Sequence, residues 1–217
     1  MRRMGLCLQS SRGWARLSTS TAEARSGART RRQPDLRPCG IDRHTPPAGT
    51  VTLLVTEGRR VMRLSRELAP EVFDALLEEY SRLLRQVLAG MGGQDIEVET
   101  DTAVAAFPTA RQGALAAVAA QRAVAAHAWP HGSSLAISVG LHSCEARAGW
   151  IEPALLRCSE LCDAAEAGQI FLTHAASSLL QEEGLGDFAV RDLGEVPLRR
   201  IERRVRAYEL VVPPAAD

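Results

Sequence analysis

Arginine is the residue type in this chain best suited to phosphate or carboxylate chemistry. All 26 of the residues counted as lysine or arginine are arginine. A guanidinium group stays protonated and binds carboxylate and phosphate through a planar fork, whereas Schiff bases and phosphate loops require lysine. The sequence therefore excludes enzymes that depend on a lysine Schiff base, a phosphate-loop lysine or a lysine that reads a purine.

The cysteines do not indicate a metal or disulfide framework. They are odd in number and include no C-x-x-C pair, which argues against both a disulfide scaffold and a zinc site. Cys158 and Cys162 lie one helical turn apart, so we expect two small buried side chains. His142 follows apolar residues and is expected to be a hydrogen-bonded structural histidine. The five cysteines are Cys7, Cys39, Cys144, Cys158 and Cys162.

The first half of the domain is predicted to form a strand, a helix and a hairpin, with an acidic residue at the tip of the hairpin. The run Thr50 to Thr56 is β-branched and apolar, and Pro70 opens a pattern with helical spacing. Asp95 to Glu99 and Ala103 to Phe107 read as a tight antiparallel hairpin. Asp101 would lie at its tip, so its carboxylate would project from the end of the sheet.

The second half alternates helices and strands. The whole order is strand, helix, hairpin, helix, strand, helix, strand, helix and strands, which indicates an α+β fold with a ferredoxin-like, antiparallel-rich sheet and helices packed on it. The predicted segments are a helix capped by Thr109 and running to about His127, a strand Leu135 to His142, a helix Ala154 to Ala165, a strand Gln169 to Leu172, a helix capped by Thr173, and strands near Val190 and from Ala207 to Val212.

Charge and composition separate residues 1–48 from the rest. Residues 1–45 carry ten arginines against three acids, whereas the remainder carries sixteen arginines against 23 acids. Residues 1–48 contain few apolar residues and no sustained hydrophobic period, which predicts a disordered, Arg- and Ser-rich tail. The domain is predicted over 49–212, with a short disordered end over 213–217. An organellar transit peptide and a reading frame that starts too far upstream are the alternatives for the tail.

Residues from about 49 to 210 resemble the catalytic domain of class III nucleotidyl cyclases of the soluble bacterial branch, which convert ATP or GTP to a cyclic nucleotide. The resemblance depends on the order and spacing of several short motifs. These are Thr56, Arg63 and Leu64 around the end of the first strand, the hairpin with Asp101, Gly140 to His142, Leu161, and Gly168 with Gln169. It implies a cyclase homology domain in which substitutions have accumulated.

The resemblance places the two metal-binding acids of the family on Glu57 and Asp101. It thereby implies Mg²⁺ or Mn²⁺ held by these residues, with Thr100 and Thr102 in place of the glycines that flank the second acid. Tight turns commonly need a positive φ, which β-branched residues resist. Each acid also has a simpler interpretation, Glu57 as a solvated charge at a strand end and Asp101 as a plain turn acid.

The other site positions of the family are substituted. The purine-reading lysine and aspartate fall on Glu97 and Gly149, and the catalytic asparagine and transition-state arginine fall on Leu156 and Glu160. Glu97 and Glu160 are also expected as solvated charges on exposed faces. Two further candidates for contact with phosphate, Arg59 and Arg60, lie where the family has its phosphate-cradling loop.

These substitutions predict an impaired enzyme. Replacement of a cation by Glu160 repels a triphosphate, so binding of ATP or GTP is doubtful. We expect a dimerising or regulatory module in cyclic-nucleotide or other intracellular signalling, as a homodimer or a heterodimer with another cyclase domain. The alternatives are a metal-binding half of a heterodimeric cyclase and a weakly active adenylate cyclase that makes cAMP from ATP.

Other partners are not favoured by the sequence. The arginines from Arg199 to Arg206 predict an exposed edge rather than a nucleic-acid surface, because acids offset them elsewhere and no aromatic platform accompanies them. No apolar run approaches the roughly 18 residues that a membrane span requires. The sequence therefore predicts a cytoplasmic protein.

Overall fold

The fold is described here from a computed structural model that covers residues 49–146, 151–202 and 204–212. The predicted tail over 1–48 and the predicted end over 213–217 lie outside the described residues. The strands are β1 (Gly49–Gly58), β2 (Gln94–Glu99), β3 (Thr102–Phe107), β4 (Ile137–Ala146), β5 (Ile170–Thr173), β6 (Ala189–Val196) and β7 (Val205–Val211). The helices are α1 (Val61–Leu64), α2 (Pro70–Gly90), α3 (Ala110–Ala126), α4 (Ile151–Ala164) and α5 (His174–Glu183), with a 3-10 turn at Pro130–Gly132.

The described strands form one seven-stranded sheet in the order β2-β3-β1-β4-β5-β7-β6. β1 pairs antiparallel with both β3 and β4, and β4 with β5 is a parallel pair. The segment β1-α2-β2-β3-α3-β4, with β1 between β4 and β3, has the connectivity of a ferredoxin-like fold. The predicted fold class is therefore confirmed.

Helices cover the two faces of the sheet unequally. Side chains alternate along β1, so Leu54 joins the large core beneath α2, α3 and α5, whereas Leu53 and Val55 join a smaller cluster beneath α4. The buried residues of α2 lie four apart, from Leu76 to Leu88, as expected for a helix with one face on the core. No helix in the described ranges is both long enough and apolar enough to span a bilayer.

The predicted elements are present, and most bounds agree within two residues. Both predicted caps are confirmed, because the hydroxyl of Thr109 accepts the Gln112 N–H at 3.1 Å and that of Thr173 accepts the Ala176 N–H at 3.3 Å. Three features differ, one of which is that α4 begins at Ile151, three residues before the predicted Ala154. The short helix α1 was not predicted, and β4 continues four residues beyond His142, because its outer part pairs with the start of β1.

Helices α3 and α5 are joined by charged groups at their ends. The carboxylate of Glu183 accepts the backbone N–H groups of Ala110 and Arg111 at 3.2 and 2.7 Å, and the Arg111 guanidinium donates to the carbonyl of Gly184. An acid thus meets the positive end of α3 and a cation meets the negative end of α5. These hydrogen bonds fix the position of α3 relative to α5 on the sheet.

Helix α4 lies unusually close to β4, at Gly140. The two cysteines of α4 are buried, as predicted, and the thiol of Cys158 donates to the Gly140 carbonyl at 3.1 Å. A Cβ atom at Gly140 would lie 2.2 Å from the carbonyl oxygen of Cys158 and 2.9 Å from the amide nitrogen of Cys162. Both neighbours are backbone atoms, so the helix itself would have to move.

Gly140→Ala is therefore expected to lower the free energy of unfolding by about 1 to 3 kcal/mol or more, because it overpacks a rigid contact. The matched control is Gly90→Ala at the end of α2, where a Cβ meets nothing within 4 Å. That variant should be neutral or more stable by up to about 1 kcal/mol. Urea unfolding of the full chain measures both, and equal stability of the two variants would contradict the packing described.

Candidate functional site

The pairing of β1 with β3 brings Glu57 and Asp101 to the same end of the sheet. Glu57 lies opposite Thr102, which places Asp101 just beyond it at the tip of the hairpin. The carbonyl of Asp101 accepts the Gly58 N–H at 2.7 Å and the hydroxyl of Tyr80 at 3.1 Å. The hairpin tip is thus attached to the end of β1 and to α2.

The hairpin turn is strained at Thr100. Its φ is 53°, in the left-handed region that glycine adopts and β-branched residues avoid. A non-glycine residue in such a conformation costs about 1 to 3 kcal/mol and needs support from its surroundings. The two hydrogen bonds to the Asp101 carbonyl supply part of that support. Thr102 is not strained in this way, because it already belongs to β3.

Glu57 is not a solvated charge, so that expectation is wrong. Its side chain is 24% exposed, and Nη1 of Arg59 lies 3.3 Å from its Oε2 atom. Burial is the largest cause that raises the pKa of Glu57 from 4.5 to about 7, followed by a hydrogen bond with the carboxyl of Asp163. The charge of Arg59 lowers this pKa, and the charges of Asp163 and Asp101 raise it.

Asp163 is a member of the site that the sequence did not reveal. It lies in the last turn of α4, and its carboxyl reaches Glu57 because α4 crosses β1 and β4 with its C-terminal end at this edge of the sheet. No local motif marks Asp163. Its role becomes visible only when the packing of α4 on the sheet is known.

Arg59 binds the C-terminal end of α4. Its Nη2 atom donates to the carbonyls of Cys162 at 2.6 Å and Asp163 at 2.9 Å, and also to that of Ala165. The last carbonyls of a helix lack partners within the helix and carry the negative end of its dipole, so a guanidinium is favourable here. Arg60, in contrast, is exposed at the start of α1.

In the chain by itself, the surroundings of Glu57 disfavour a divalent metal. The described ranges contain no group of three or more His, Cys, Asp or Glu side chains arranged to hold one. A metal ligand must be deprotonated, whereas burial favours the protonated form of Glu57. The guanidinium of Arg59 is a cation that already lies beside this carboxylate.

Glu160 is buried, so the expectation of a solvated face is wrong. Its exposed fraction is 3%, Oε2 accepts the backbone N–H of Arg200 at 2.8 Å, and Oε1 lies 3.4 Å from Nε of the same residue. The connection between β6 and β7 covers this side of α4 and supplies both contacts. The expected exposed edge at Arg199 to Arg206 is confirmed for its described arginines, and one of them, Arg206, also pairs with Asp192 at 2.5 Å.

The remaining predicted site positions are scattered. Leu156 lies half-buried on α4 and offers no polar atom, and Glu97 is exposed on the outer strand β2. Gly149 lies outside the described residues. At one end of the sheet, Glu57 and Asp101 therefore lie close to Arg59 and to the C-terminal end of α4. Glu160 lies elsewhere, because it faces the β6-β7 connection.

No protein-family model matches this chain. Uncharacterized proteins of Mycobacterium tuberculosis and Mycobacterium bovis are each 29% identical to it over 173 residues, which is 77% of this chain and 58% of each relative. The chain thus spans little more than half the length of the curated relatives that it matches.

Solved structures show the likeness in three dimensions. The adenylyl cyclase CyaB from P. aeruginosa has a TM-score of 0.60 at 21% identity, over 77% of this chain and 96% of that chain. The guanylate cyclase domain of RhGC from Catenaria anguillulae, solved in complex with GTP, has a TM-score of 0.64 at 14% identity, over 76% and 98% of the respective chains. At these identities the likeness establishes a shared fold.

Neutralising the buried carboxylate should stabilise the protein at high pH only. Because the pKa of Glu57 is raised from 4.5 to about 7 on folding, its ionisation lowers stability as the pH rises through that interval. Glu57→Gln should therefore unfold at a higher temperature than the wild type at about pH 8, and the difference should vanish near pH 4.5. Thermal unfolding across pH measures it, with Glu97→Gln on exposed β2 as the control. An unchanged or lower unfolding temperature at high pH would contradict the assignment.

Removing the buried acid of α4 should loosen the β6-β7 connection. Glu160→Ala is expected to lower the free energy of unfolding by about 1 to 3 kcal/mol, because it leaves the Arg200 N–H without its partner. Glu152→Ala is a matched exposed change in the first turn of the same helix and should cost no more than about 1 kcal/mol. Urea unfolding compares them, and similar losses for both would contradict a special role of Glu160.

Proposed function

We propose that this chain, which has the fold of the adenylyl and guanylate cyclase catalytic domains, is a cyclase homology domain without nucleotide turnover. It acts as a dimerising or regulatory module in cyclic-nucleotide or other intracellular signalling, in the cytoplasm. The observation that carries this proposal is the position of Arg59, between the Glu57 carboxylate and the C-terminal carbonyls of α4.

The guanidinium of Arg59 provides a positive charge beside the acidic end of the sheet, where a metal ion would otherwise provide it. Nη1 of Arg59 lies 3.3 Å from Oε2 of Glu57, and its charge lowers the pKa of Glu57 against the larger effect of burial. A metal ion at Glu57 would have to displace this guanidinium and so remove the cap of α4. The hydrogen bonds of Arg59 to α4 therefore oppose metal binding, and the same bonds make the guanidinium unsuitable as a mobile phosphate ligand.

The nucleotide positions point in the same direction. Arginines in comparable phosphoryl-transfer sites contribute about 10³ to 10⁵ in rate. At the corresponding position Glu160 is an acid, and its buried contacts with Arg200 give it a structural use. Leu156 cannot donate a hydrogen bond, and Glu97 adds a second negative charge. A triphosphate would thus lose three favourable contacts and meet two acids.

An open part of the sheet supports the dimerising role. Helix α4 packs on β1, β4 and β5, and in the described ranges its hydrophobic cluster includes Ala106 of β3 but no residue of β2. Glu97 and Glu99 are exposed there, on the outer strand. A second domain with basic groups would complement this surface, and the cyclase resemblance favours another cyclase domain, of the same or a different chain, as the partner.

The metal-binding half of a heterodimeric cyclase is the second candidate. Its support is the proximity of Glu57 and Asp101 on one chain, with the complementary nucleotide positions substituted. Such a half should gain activity when it is mixed with an intact cyclase domain that carries those positions. Cyclic-nucleotide production by the mixture, above that of the intact partner alone and lost in Asp101→Asn, would favour this candidate over the first.

The proposal predicts no turnover by the full chain alone. With ATP or GTP and either Mn²⁺ or Mg²⁺, we expect no cAMP or cGMP above a protein-free blank, and no heat of binding in calorimetry. Sedimentation should detect a self-associated species or a complex with a cyclase domain. Protein-dependent synthesis of cAMP or cGMP that Arg59→Ala abolishes would instead establish a weakly active cyclase.

A further inference from the structure

A cavity of about 400 Å³ lies between β4, the first turns of α4 and the start of α5. It is separate from the acidic end of the sheet. Ser138 is the residue of β4 that pairs with Glu57, and His142 at the cavity lies four residues further along the strand. At about 3.3 Å per residue this is a separation of roughly 13 Å. The volume falls within the range of small-molecule sites, about 300 to 1,000 Å³.

His142 presents a hydrogen-bond donor at this cavity. As predicted, it is a buried, hydrogen-bonded histidine, with Nδ1 at 2.9 Å from the hydroxyl oxygen of Thr173. Burial, and then the charge of Arg157, lower the pKa of His142 to about 4, so the ring is neutral at pH 7. A neutral imidazole carries one N–H group, on either Nδ1 or Nε2.

The helix cap favours one of the two tautomers. The oxygen of Thr173 already accepts the Ala176 N–H at the start of α5. Its hydroxyl hydrogen is then best used toward Nδ1 of His142, which leaves the ring hydrogen on Nε2. Within the described chain Nε2 has no hydrogen-bond partner. Nε2 is not one of the buried atoms without a partner in the described ranges, so it is open to the cavity, where an acceptor on a ligand can replace water.

Arg157 provides the positive charge. It lines the same cavity from α4, and in the described ranges no carboxylate forms an ion pair with it. A guanidinium offers several N–H donors in one plane and suits a carboxylate or a phosphate. Glu145 also lines the cavity but has an interaction of its own, and the Ser143 hydroxyl is engaged with Thr52 at 2.8 Å.

The rest of the lining is apolar or nearly so. Pro153, Ala154 and Ala175 form walls without charge, and Cys144 adds a thiol whose pKa is raised, chiefly by burial. A thiol that stays protonated is a weakly polar surface rather than a nucleophile. The cavity therefore combines one cation, one acid with an interaction of its own and one neutral donor with a small apolar compartment.

We propose that this cavity binds a small organic anion, whose carboxylate or phosphate group contacts Arg157 and the Nε2–H of His142 and whose apolar part lies against Pro153, Ala154 and Ala175. The site is distinct from the candidate nucleotide site, because its lining includes neither the acids at the end of the sheet nor Glu97, Leu156 or Glu160. A carboxylate and a phosphate share this chemistry, and the probes below distinguish them.

The test uses the full chain labelled in its histidine rings and followed by NMR, with benzoate and phenyl phosphate as anionic probes. At least one probe should shift the His142 ring resonances in a saturable manner, and benzamide, which has a similar size and no charge, should not. A shift with benzoate alone identifies a carboxylate site, and a shift with phenyl phosphate alone identifies a phosphate site.

Variants separate the site from general charge effects. Arg157→Gln should weaken binding about tenfold or more, since hydrogen bonds to charged groups contribute about 1.5 to 3 kcal/mol. Arg157 is exposed, so this variant should fold. Arg122→Gln, an exposed arginine on α3 that does not line the cavity, should leave binding unchanged. The proposal is overturned if neither anion shifts His142, if benzamide shifts it equally, or if Arg157→Gln binds as the wild type does.

Discussion

The contact between the Arg59 guanidinium and the C-terminal carbonyls of α4 joins the two halves of the candidate site. On one side it closes a helix whose last carbonyls have no partners within the helix. On the other it lies within ion-pair distance of Glu57, on the central strand. Because one side chain serves both purposes, the position of α4 and the charge of the acidic end are not independent. A change at either would be felt at the other.

Internal pairing recurs among the polar groups of this domain. Glu160 binds Arg200, Glu183 binds the start of α3, and Arg111 binds the end of α5. In each case a charged group meets backbone atoms that the ends of helices or a loop leave unsatisfied. Charged side chains are thus used to hold secondary structure elements together.

The sequence predicted those parts of the structure that depend on neighbouring residues. The β-branched run of β1, the helix after Pro70, the hairpin at Asp101 and the caps at Thr109 and Thr173 follow from local pattern and turn chemistry. The environments of Glu57 and Glu160 did not, since α4 and the β6-β7 connection bury them from far along the chain. Asp163 and the use of Arg59 were missed for the same reason, because tertiary packing decides them.

The approach of α4 to β4 at Gly140 limits how this domain can change during evolution. Backbone atoms form that contact, so no repacking of side chains can absorb a shift of the helix. An arginine in place of Glu160 would therefore have to find room by displacing the β6-β7 connection, with α4 staying in place.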